Sequence, residues 1–171
     1  MQLGGQKHLL EAIKADQPDA RAVAKKALEY LWFNAAGPKA FALTQAAFRA
    51  AEKRDFGDAL VLLDRLVEEF PQFAEGWNQR ASVLWQMGEY RKSIKDSEHA
   101  LELNPNHYGA WQGMGVCRLK LGDIPAACRC LRSALKILPH DTATREALRK
   151  CEELLLKSTP VPPPPPGSEL I

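Results

Sequence analysis

The chain has 171 residues, a length that suits one compact domain with an appendage and needs no disulfide or metal to stabilise it. Hydrophobic residues make up 46% and charged residues 26%, a balance that excludes a disordered chain. Lys and Arg number 23 against 21 Asp and Glu, so the net charge of +2 gives no indication of nucleic-acid binding.

Residues 1–39 are predicted to form an N-terminal helical cap. Helices are expected over 6–15 and 20–34, with a proline-containing break between them and a stop at Gly37-Pro38. The apolar residues of the second helix should pack onto the first of the three repeated units that follow: Leu28, Leu31 and Trp32.

The start of the chain carries neither the apolar core of a signal peptide nor the acid-poor composition of a transit peptide. No apolar run approaches the roughly 20 residues that span a bilayer, so membrane insertion is not predicted. The expected location is intracellular and soluble: the cytoplasm, or a chloroplast or other organelle if a presequence is missing. The four cysteines are expected to stay reduced there.

A 34-residue repeat organises the middle of the chain. Shifting the sequence by 34 residues aligns Trp77 with Trp111 and places three prolines in one column: Pro71, Pro105 and Pro139. Small residues align as well, at Ala47, Ala81 and Gly115. The repeat predicts three units, over 40–73, 74–107 and 108–141.

Each unit is predicted to be a helical hairpin. Apolar residues recur at helical spacing on both sides of a break at Gly88 or Gly122, and the prolines stop the second helix. In the second helices, Leu63 and Leu131 share a column in which Ser97 is a polar exception. A single hairpin cannot bury its apolar face alone, so the units should stack in series.

The segments from Trp77 to Pro105 and from Trp111 to Pro139 resemble tetratricopeptide repeats (TPRs), and the three units cover 102 of the 171 residues. The resemblance implies an all-α solenoid. The first unit departs from the family pattern with Leu43, Arg54 and Leu66 in place of the usual Trp, Gly and Ala. The whole layout is similar to a family of short bacterial and chloroplast TPR proteins, a likeness that implies no defined biochemical activity.

After the repeats, residues 142–157 are predicted to form one amphipathic capping helix with an N-cap at Asp141 or Thr142. Residues 158–171 should be an extended, disordered tail, because they contain an unbroken run of five prolines. Lys157, Pro160 and Pro163 match the basic-PxxP form that SH3-type grooves bind, although a plain disordered terminus is the simpler interpretation.

In TPR proteins the first helix of each unit lines a binding groove, and the resemblance carries that groove onto this chain. The candidate groove residues are Phe41, Gln45, Phe48, Asn78, Gln79, Ser82, Trp85, Gln112, Val116 and Leu119. The same family positions also include Thr44 and Glu75. Phe48, Trp85 and Leu119 could instead contact neighbouring repeats, since buried aromatic and aliphatic side chains are common.

The groove composition bears on the kind of partner. TPR co-chaperones hold the acidic tails of heat-shock proteins with Lys, Arg and Asn, whereas the matching positions here are Thr44, Phe48, Gln79, Gly109 and Gly113. Binding of heat-shock-protein tails is therefore disfavoured. A partner helix or extended peptide with apolar anchors fits better, with Trp85 and Phe48 as the main contacts.

Neither a catalytic nor a metal or cofactor site is predicted. Gly113-Met114-Gly115 lacks the third glycine and the preceding strand of a dinucleotide-binding loop. Cys128 and Cys130, two residues apart on a helix, point in divergent directions and do not form a zinc pair.

The sequence therefore predicts a non-catalytic scaffold that binds a protein segment in its groove, with an assembly factor as one form of that role. Two alternatives stay open: a self-associating structural repeat protein, and an adaptor recognised through its proline-rich tail. The sequence does not determine the oligomeric state.

Overall fold

The computed structural model describes residues 2–158, with side chains for residues 5–157. That part of the chain forms helices and contains no strand, which confirms the all-α prediction. The helices are α1 (Gln2–Ala12), α2 (Pro18–Asn34), α3 (Gly37–Glu52), α4 (Phe56–Glu69), α5 (Ala74–Gln86), α6 (Tyr90–Leu103), α7 (Tyr108–Lys120), α8 (Ile124–Ile137) and α9 (Thr142–Ser158).

Helices α3 to α8 form three hairpins that pack in series. The turn inside each hairpin contains one residue with positive φ: Arg54 at 63°, Gly88 at 81° and Gly122 at 82°. Glycine adopts this left-handed conformation without steric cost, whereas arginine meets a penalty there. Arg54 nevertheless adopts it, so the first hairpin keeps the turn of the other two despite its departure from the family pattern.

The two repeated tryptophans lie in equivalent environments. The indole N–H of Trp77 donates to the carbonyl of Pro71 at 2.9 Å, and that of Trp111 donates to Pro105 at 2.9 Å. Each bond ties the start of one unit to the turn that ends the unit before it. The 34-residue spacing therefore reflects a repeated three-dimensional contact.

Helices α1, α2 and α3 begin earlier than the sequence analysis predicts. α1 begins at Gln2 and ends at Ala12, and α2 begins at Pro18. α3 begins at Gly37, three residues before the predicted unit boundary at residue 40. Proline fits the first turn of a helix because the N–H that it lacks would have no helical partner there, so Pro18 and Pro38 start these helices.

The predicted packing is wrong for Leu28 and Trp32, because neither joins the core of the first unit. Both are buried against Leu138, at the end of the third unit. Trp32 also stacks on His107 with ring centroids 4.7 Å apart, and it contacts the ring of Tyr108. Leu31 is largely exposed.

These contacts lie along one edge of the solenoid, made by the turns at 70–73, 104–107 and 138–141, which we call the inter-unit edge. Tyr108 adds a polar contact there, because its hydroxyl donates to the carboxylate of Glu29. Burial and the neighbouring Glu29 raise the pKa of Tyr108, so the phenol keeps the proton that it donates. The hairpin of α1 and α2 therefore packs against the inter-unit edge. It does not stack on the first repeat as a further unit of the solenoid would.

The C-terminal helix α9 covers the exposed side of the last hairpin. Asp141 caps it, since its carboxylate accepts the backbone N–H of Thr144 at 2.8 Å. The apolar side of α9 buries Cys151 against Ala127 and Leu131 of α8. This arrangement matches the terminal cap that a solenoid of stacked units requires.

The four cysteines are free thiols and all are buried: Cys117, Cys128, Cys130 and Cys151. Burial raises the pKa of Cys117 and Cys130, and it raises the pKa of Cys151 to about 11. Only the thiolate reacts as a nucleophile. These thiols are therefore core residues with little reactivity in the folded protein.

We expect the thiols of the folded protein to react with DTNB at pH 8 on the order of 100-fold more slowly than those of the unfolded chain. All four thiols are buried, and the raised pKa of Cys117, Cys130 and Cys151 acts in the same direction. The measurement compares native protein with protein in guanidinium chloride. A cysteine that reacts rapidly in the native state would contradict this description of the core.

Candidate functional site

The first helices of the three units, α3, α5 and α7, present a common face, which we call the groove. Its largest depression, about 380 Å³, lies between the second and third units. A smaller one of about 140 Å³ lies between the first and second units. Gln79 and Ser82 line both depressions, so the two form neighbouring parts of one surface.

The larger depression brings together six of the predicted groove residues: Asn78, Gln79, Ser82, Trp85, Gln112 and Val116. Phe48 lines the smaller one. The two aromatic side chains are open to solvent, Phe48 at 52% and Trp85 at 40% exposure. They are therefore available to a partner, although burying them against neighbouring repeats would be the common arrangement.

The remaining groove candidates differ in accessibility. Phe41 is exposed at the start of the groove, and Gln45 is half-buried on the same helix. Leu119 is partly buried and packs against the core cluster shared by α8 and α9, so its main contacts are internal. Thr44 is fully buried and donates to the carbonyl of Ala40 at 2.9 Å, which removes it from the groove surface.

A buried carboxylate organises the polar side of the groove. Glu75 is 4% exposed, and one of its oxygens accepts hydrogen bonds from the side-chain amides of Asn78 and Gln79. A carboxylate only accepts hydrogen bonds, so both amide nitrogens face Glu75. The amide oxygens of Asn78 and Gln79 are left to accept hydrogen bonds from elsewhere, which makes this part of the groove rich in acceptors.

The second oxygen of Glu75 is bonded to the histidine that ends the same unit, in the turn before α7. Nε2 of His107 lies 2.9 Å from it, while Nδ1 of the same ring accepts the backbone N–H of Ala110 at 3.2 Å. Because Nδ1 is an acceptor, the proton of the neutral ring is on Nε2 and is donated to Glu75. His107 thus caps α7 and bonds to Glu75 of α5, so this one side chain links the first helix of the second unit to the first helix of the third.

The sequence analysis missed the floor of the larger depression. Ser97 lines it, is 1% exposed, and its hydroxyl has no hydrogen-bond partner among the described residues. In the sequence alignment Ser97 is the polar exception in the column that holds Leu63 and Leu131. Its effect on the shape of the groove depends on how α6 packs against α5 and α7, and the sequence does not give that packing.

The proline-rich motif lies mostly beyond the described residues. Lys157 is exposed near the end of α9, whereas Pro160 and Pro163 fall outside the described range. The adaptor alternative therefore stays a prediction. Self-association of the repeats also stays a prediction.

Within residues 5–157, His, Cys, Asp and Glu side chains do not gather in a group of three or more that could hold a metal ion. Cys128 and Cys130 each pack into the apolar core. Among the helices described, none combines the length and apolar character that crossing a membrane requires.

These features define a class of protein: a solenoid of helical hairpins with an open groove along its first helices. A profile of the tetratricopeptide repeat matches residues 74–107. A TPR repeat-containing protein of Rhizobium etli is 31% identical over 138 residues, covering 81% of this chain and 68% of that relative. The chain belongs to the tetratricopeptide repeat family.

Other relatives share only part of their length. The SGT1 homolog of Bos taurus is 30% identical over 128 residues, which cover 74% of this chain and 38% of that protein. Among solved structures, the Sgt2 TPR domain of Aspergillus fumigatus superposes with a TM-score of 0.69 at 18% identity, over 75% of this chain and 86% of that one. The family and the fold are those of protein-interaction modules.

A second structure bears on the partner prediction. The first TPR domain of Spaghetti (RPAP3), bound to an HSP90 peptide, superposes with a TM-score of 0.68 at 19% identity, over 69% of this chain and 94% of that one. A TPR domain of this shape therefore accommodates a heat-shock-protein peptide. The prediction that this chain disfavours such tails gains no support from the comparison.

Proposed function

We propose that the chain is a non-catalytic scaffold that binds a segment of a partner protein in its groove. The observation that carries this proposal is the exposure of Phe48 and Trp85 beside two connected depressions. Large aromatic side chains next to pockets are typical of interface hot spots. A helix or an extended peptide with apolar anchors is the kind of segment that this surface fits.

Polar contacts would complement the aromatic anchors. The amide nitrogens of Asn78 and Gln79 donate to Glu75, which leaves their amide oxygens as acceptors. They favour a partner that presents donors, such as the backbone N–H groups of an extended segment. The groove thus combines apolar anchoring with hydrogen bonds that fix the direction of the bound chain. Assembly of a larger complex is one role that such a scaffold would serve.

The test places a photo-crosslinking amino acid at Ser82, inside the groove, and at Val61, an exposed apolar position on α4 that lines neither depression. We expect one partner to be captured from Ser82 and not from Val61. The variant Phe48→Ala/Trp85→Ala should weaken binding of that partner at least about tenfold, because hot-spot truncations cost 2 kcal/mol or more.

The matched control is Val23→Ala/Tyr30→Ala, which removes two exposed apolar side chains of α2 at a distance from the groove. It should bind the partner as the wild type does. Circular dichroism verifies that both double variants are folded. Equal capture from Val61, or undiminished binding by the folded Phe48→Ala/Trp85→Ala variant, would contradict the proposal.

A competition experiment identifies the class of segment. An acidic peptide of the heat-shock-tail type is added to the crosslinked system, beside an uncharged peptide of equal length. Loss of partner capture with the acidic peptide alone would show that the groove takes acidic tails and would reverse the sequence-based prediction. Unchanged capture would agree with an apolar, donor-bearing partner segment.

A further inference from the structure

The deepest part of the groove is made by a break in the repeat pattern. In the first and third units the column on the second helix holds a buried leucine, Leu63 or Leu131. In the second unit it holds Ser97, whose side chain is much smaller. Ser97 lines the depression of about 380 Å³, and we attribute part of that volume to the shorter side chain.

The wall on α7 is widened by two glycines. Gly109 and Gly113 both line the depression, one turn apart on the same helix. A β-carbon at Gly113 would meet no atom within 4 Å, so this wall is backbone facing open space. The volume lies near the lower end of the roughly 300–1,000 Å³ of ligand pockets, which suits one large side chain of a partner and not a whole helix.

The buried hydroxyl of Ser97 lacks a partner among the described residues, although it is 1% exposed. Buried polar groups are nearly always hydrogen-bonded, so an orphaned one in a pocket indicates a missing ligand group. Ser93, one turn earlier, differs: its hydroxyl donates to the carbonyl of Ala81 at 2.7 Å and accepts from the thiol of Cys117. Both serines line the depression, but only the hydroxyl of Ser97 has no hydrogen-bond partner among the described residues.

The chemistry of the lining indicates what enters. It contains amides, hydroxyls, glycines, Val116 and the ring of Trp85, and no charged side chain is part of it among the described residues. An ion buried there would lack a counter-charge, which is costly. The amide oxygens of Asn78 and Gln79 at its rim accept hydrogen bonds, and the hydroxyl of Ser97 can accept one as well.

We infer that this depression is a specificity pocket for a tyrosine side chain of the partner segment, with Ser97 bonding its phenol group. The ring lies between Trp85 and the glycine wall, and the phenol supplies the hydrogen bond that Ser97 lacks. This inference rests on the proposed function and adds the identity of the anchoring side chain. A simple aromatic residue such as phenylalanine would leave Ser97 unsatisfied.

The test uses small analogues of side chains as probes and follows backbone amide shifts by NMR. p-Cresol represents tyrosine, toluene represents phenylalanine, and p-toluate and 4-methylbenzylammonium carry a negative and a positive charge. We expect p-cresol to shift the amides of Ser97, Gly109 and Gly113, and to bind about fivefold more tightly than toluene, the worth of one hydrogen bond. The two charged probes should bind more weakly still.

Two variants separate space from hydrogen bonding. Ser97→Leu restores the residue of the other two units and should abolish binding of p-cresol. Ser97→Ala keeps the space but removes the hydroxyl, so it should remove the preference of p-cresol over toluene. Circular dichroism verifies that each variant is folded. Ser133→Ala, on α8 and in the lining of neither depression, serves as the matched control.

The inference is overturned if toluene or a charged probe binds as tightly as p-cresol, or if Ser97→Leu binds p-cresol as the wild type does. This outcome is distinct from a failure of the proposed function. A partner captured at Ser82 and lost in Phe48→Ala/Trp85→Ala, but unaffected by Ser97→Leu, would retain the groove scaffold and reject the tyrosine pocket.

Discussion

Replacing His107 with alanine is expected to destabilise the protein by about 3–5 kcal/mol, the largest effect of any single substitution that we consider. The side chain is 3% exposed and has three separate contacts. It caps α7 through the N–H of Ala110, donates to Glu75, and stacks on Trp32. Alanine removes all three at once.

The contributions can be ordered by size. A hydrogen bond to a charged acceptor is worth about 1.5–3 kcal/mol, and its loss leaves Glu75 buried with only the two amides as partners. A side-chain cap contributes about 1 kcal/mol, and a stacked aromatic pair about 0.5–1.5 kcal/mol. The three contacts share residues, so their contributions need not add. The sum of the three is therefore an upper limit for the loss of stability.

The measurement is chemical denaturation, combined with hydrogen exchange of α2. Trp32 belongs to α2 and stacks on His107, so the variant should also raise exchange in α2. His107→Asn is the matched control, because asparagine caps helices well and restores only that contact. It should recover about 1 kcal/mol. A cost for His107→Ala below that of one ordinary hydrogen bond would show that the three contacts do not cooperate.

The repeated part of the fold follows from the sequence because its contacts repeat with the sequence. Trp77 and Trp111 occupy one column and make the same bond to a proline carbonyl. The glycines of that alignment adopt the same positive φ, and even Arg54 does so. Residues in one column of the 34-residue alignment make equivalent contacts in each unit. The hairpins could therefore be predicted from the alignment.

The packing of the N-terminal helices could not be predicted in this way, because they are not part of the repeat. Their apolar residues show that α2 has a buried side, but many surfaces of a solenoid could cover it. The partner of Leu28 is Leu138, which lies 110 residues further along the chain, and no periodicity relates the two. The prediction placed α2 on the unit nearest in sequence, whereas Leu28 and Trp32 are buried with Tyr108 and Leu138 at the inter-unit edge.

The groove was predictable in outline and less so in chemistry. Positions carried from the family placed Trp85 and Phe48 on an exposed face, yet the same positions also gave Thr44, which is buried. The position of a residue in a helix determines the direction in which its side chain points. It does not determine how closely the neighbouring helix approaches that side chain. Glu75 and His107 lie 32 residues apart, near the two ends of the second unit, so their pairing becomes visible only when both are placed in space.

Two glycines two residues apart on α7 are expected to respond in opposite ways to alanine. A β-carbon at Gly115 would lie 2.8 Å from Cγ and 2.9 Å from Cδ2 of Leu131, whose side chain is fully buried. Overpacking of this kind costs about 1–3 kcal/mol. A β-carbon at Gly113 would meet nothing within 4 Å, so that variant should gain about 0.5–1 kcal/mol from helix propensity alone.

The pair discriminates between two arguments about Gly115. Its column holds Ala47 and Ala81 in the other units, so a consensus argument predicts that alanine stabilises the third unit as well. The geometry predicts the opposite, because α7 and α8 approach more closely where glycine replaces alanine. Urea denaturation of Gly113→Ala and Gly115→Ala gives the answer, since both share the same helix and the same gain in propensity. If Gly115→Ala proved as stable as Gly113→Ala, Leu131 would have to be able to yield, and the third hairpin would be no more closely packed than the others.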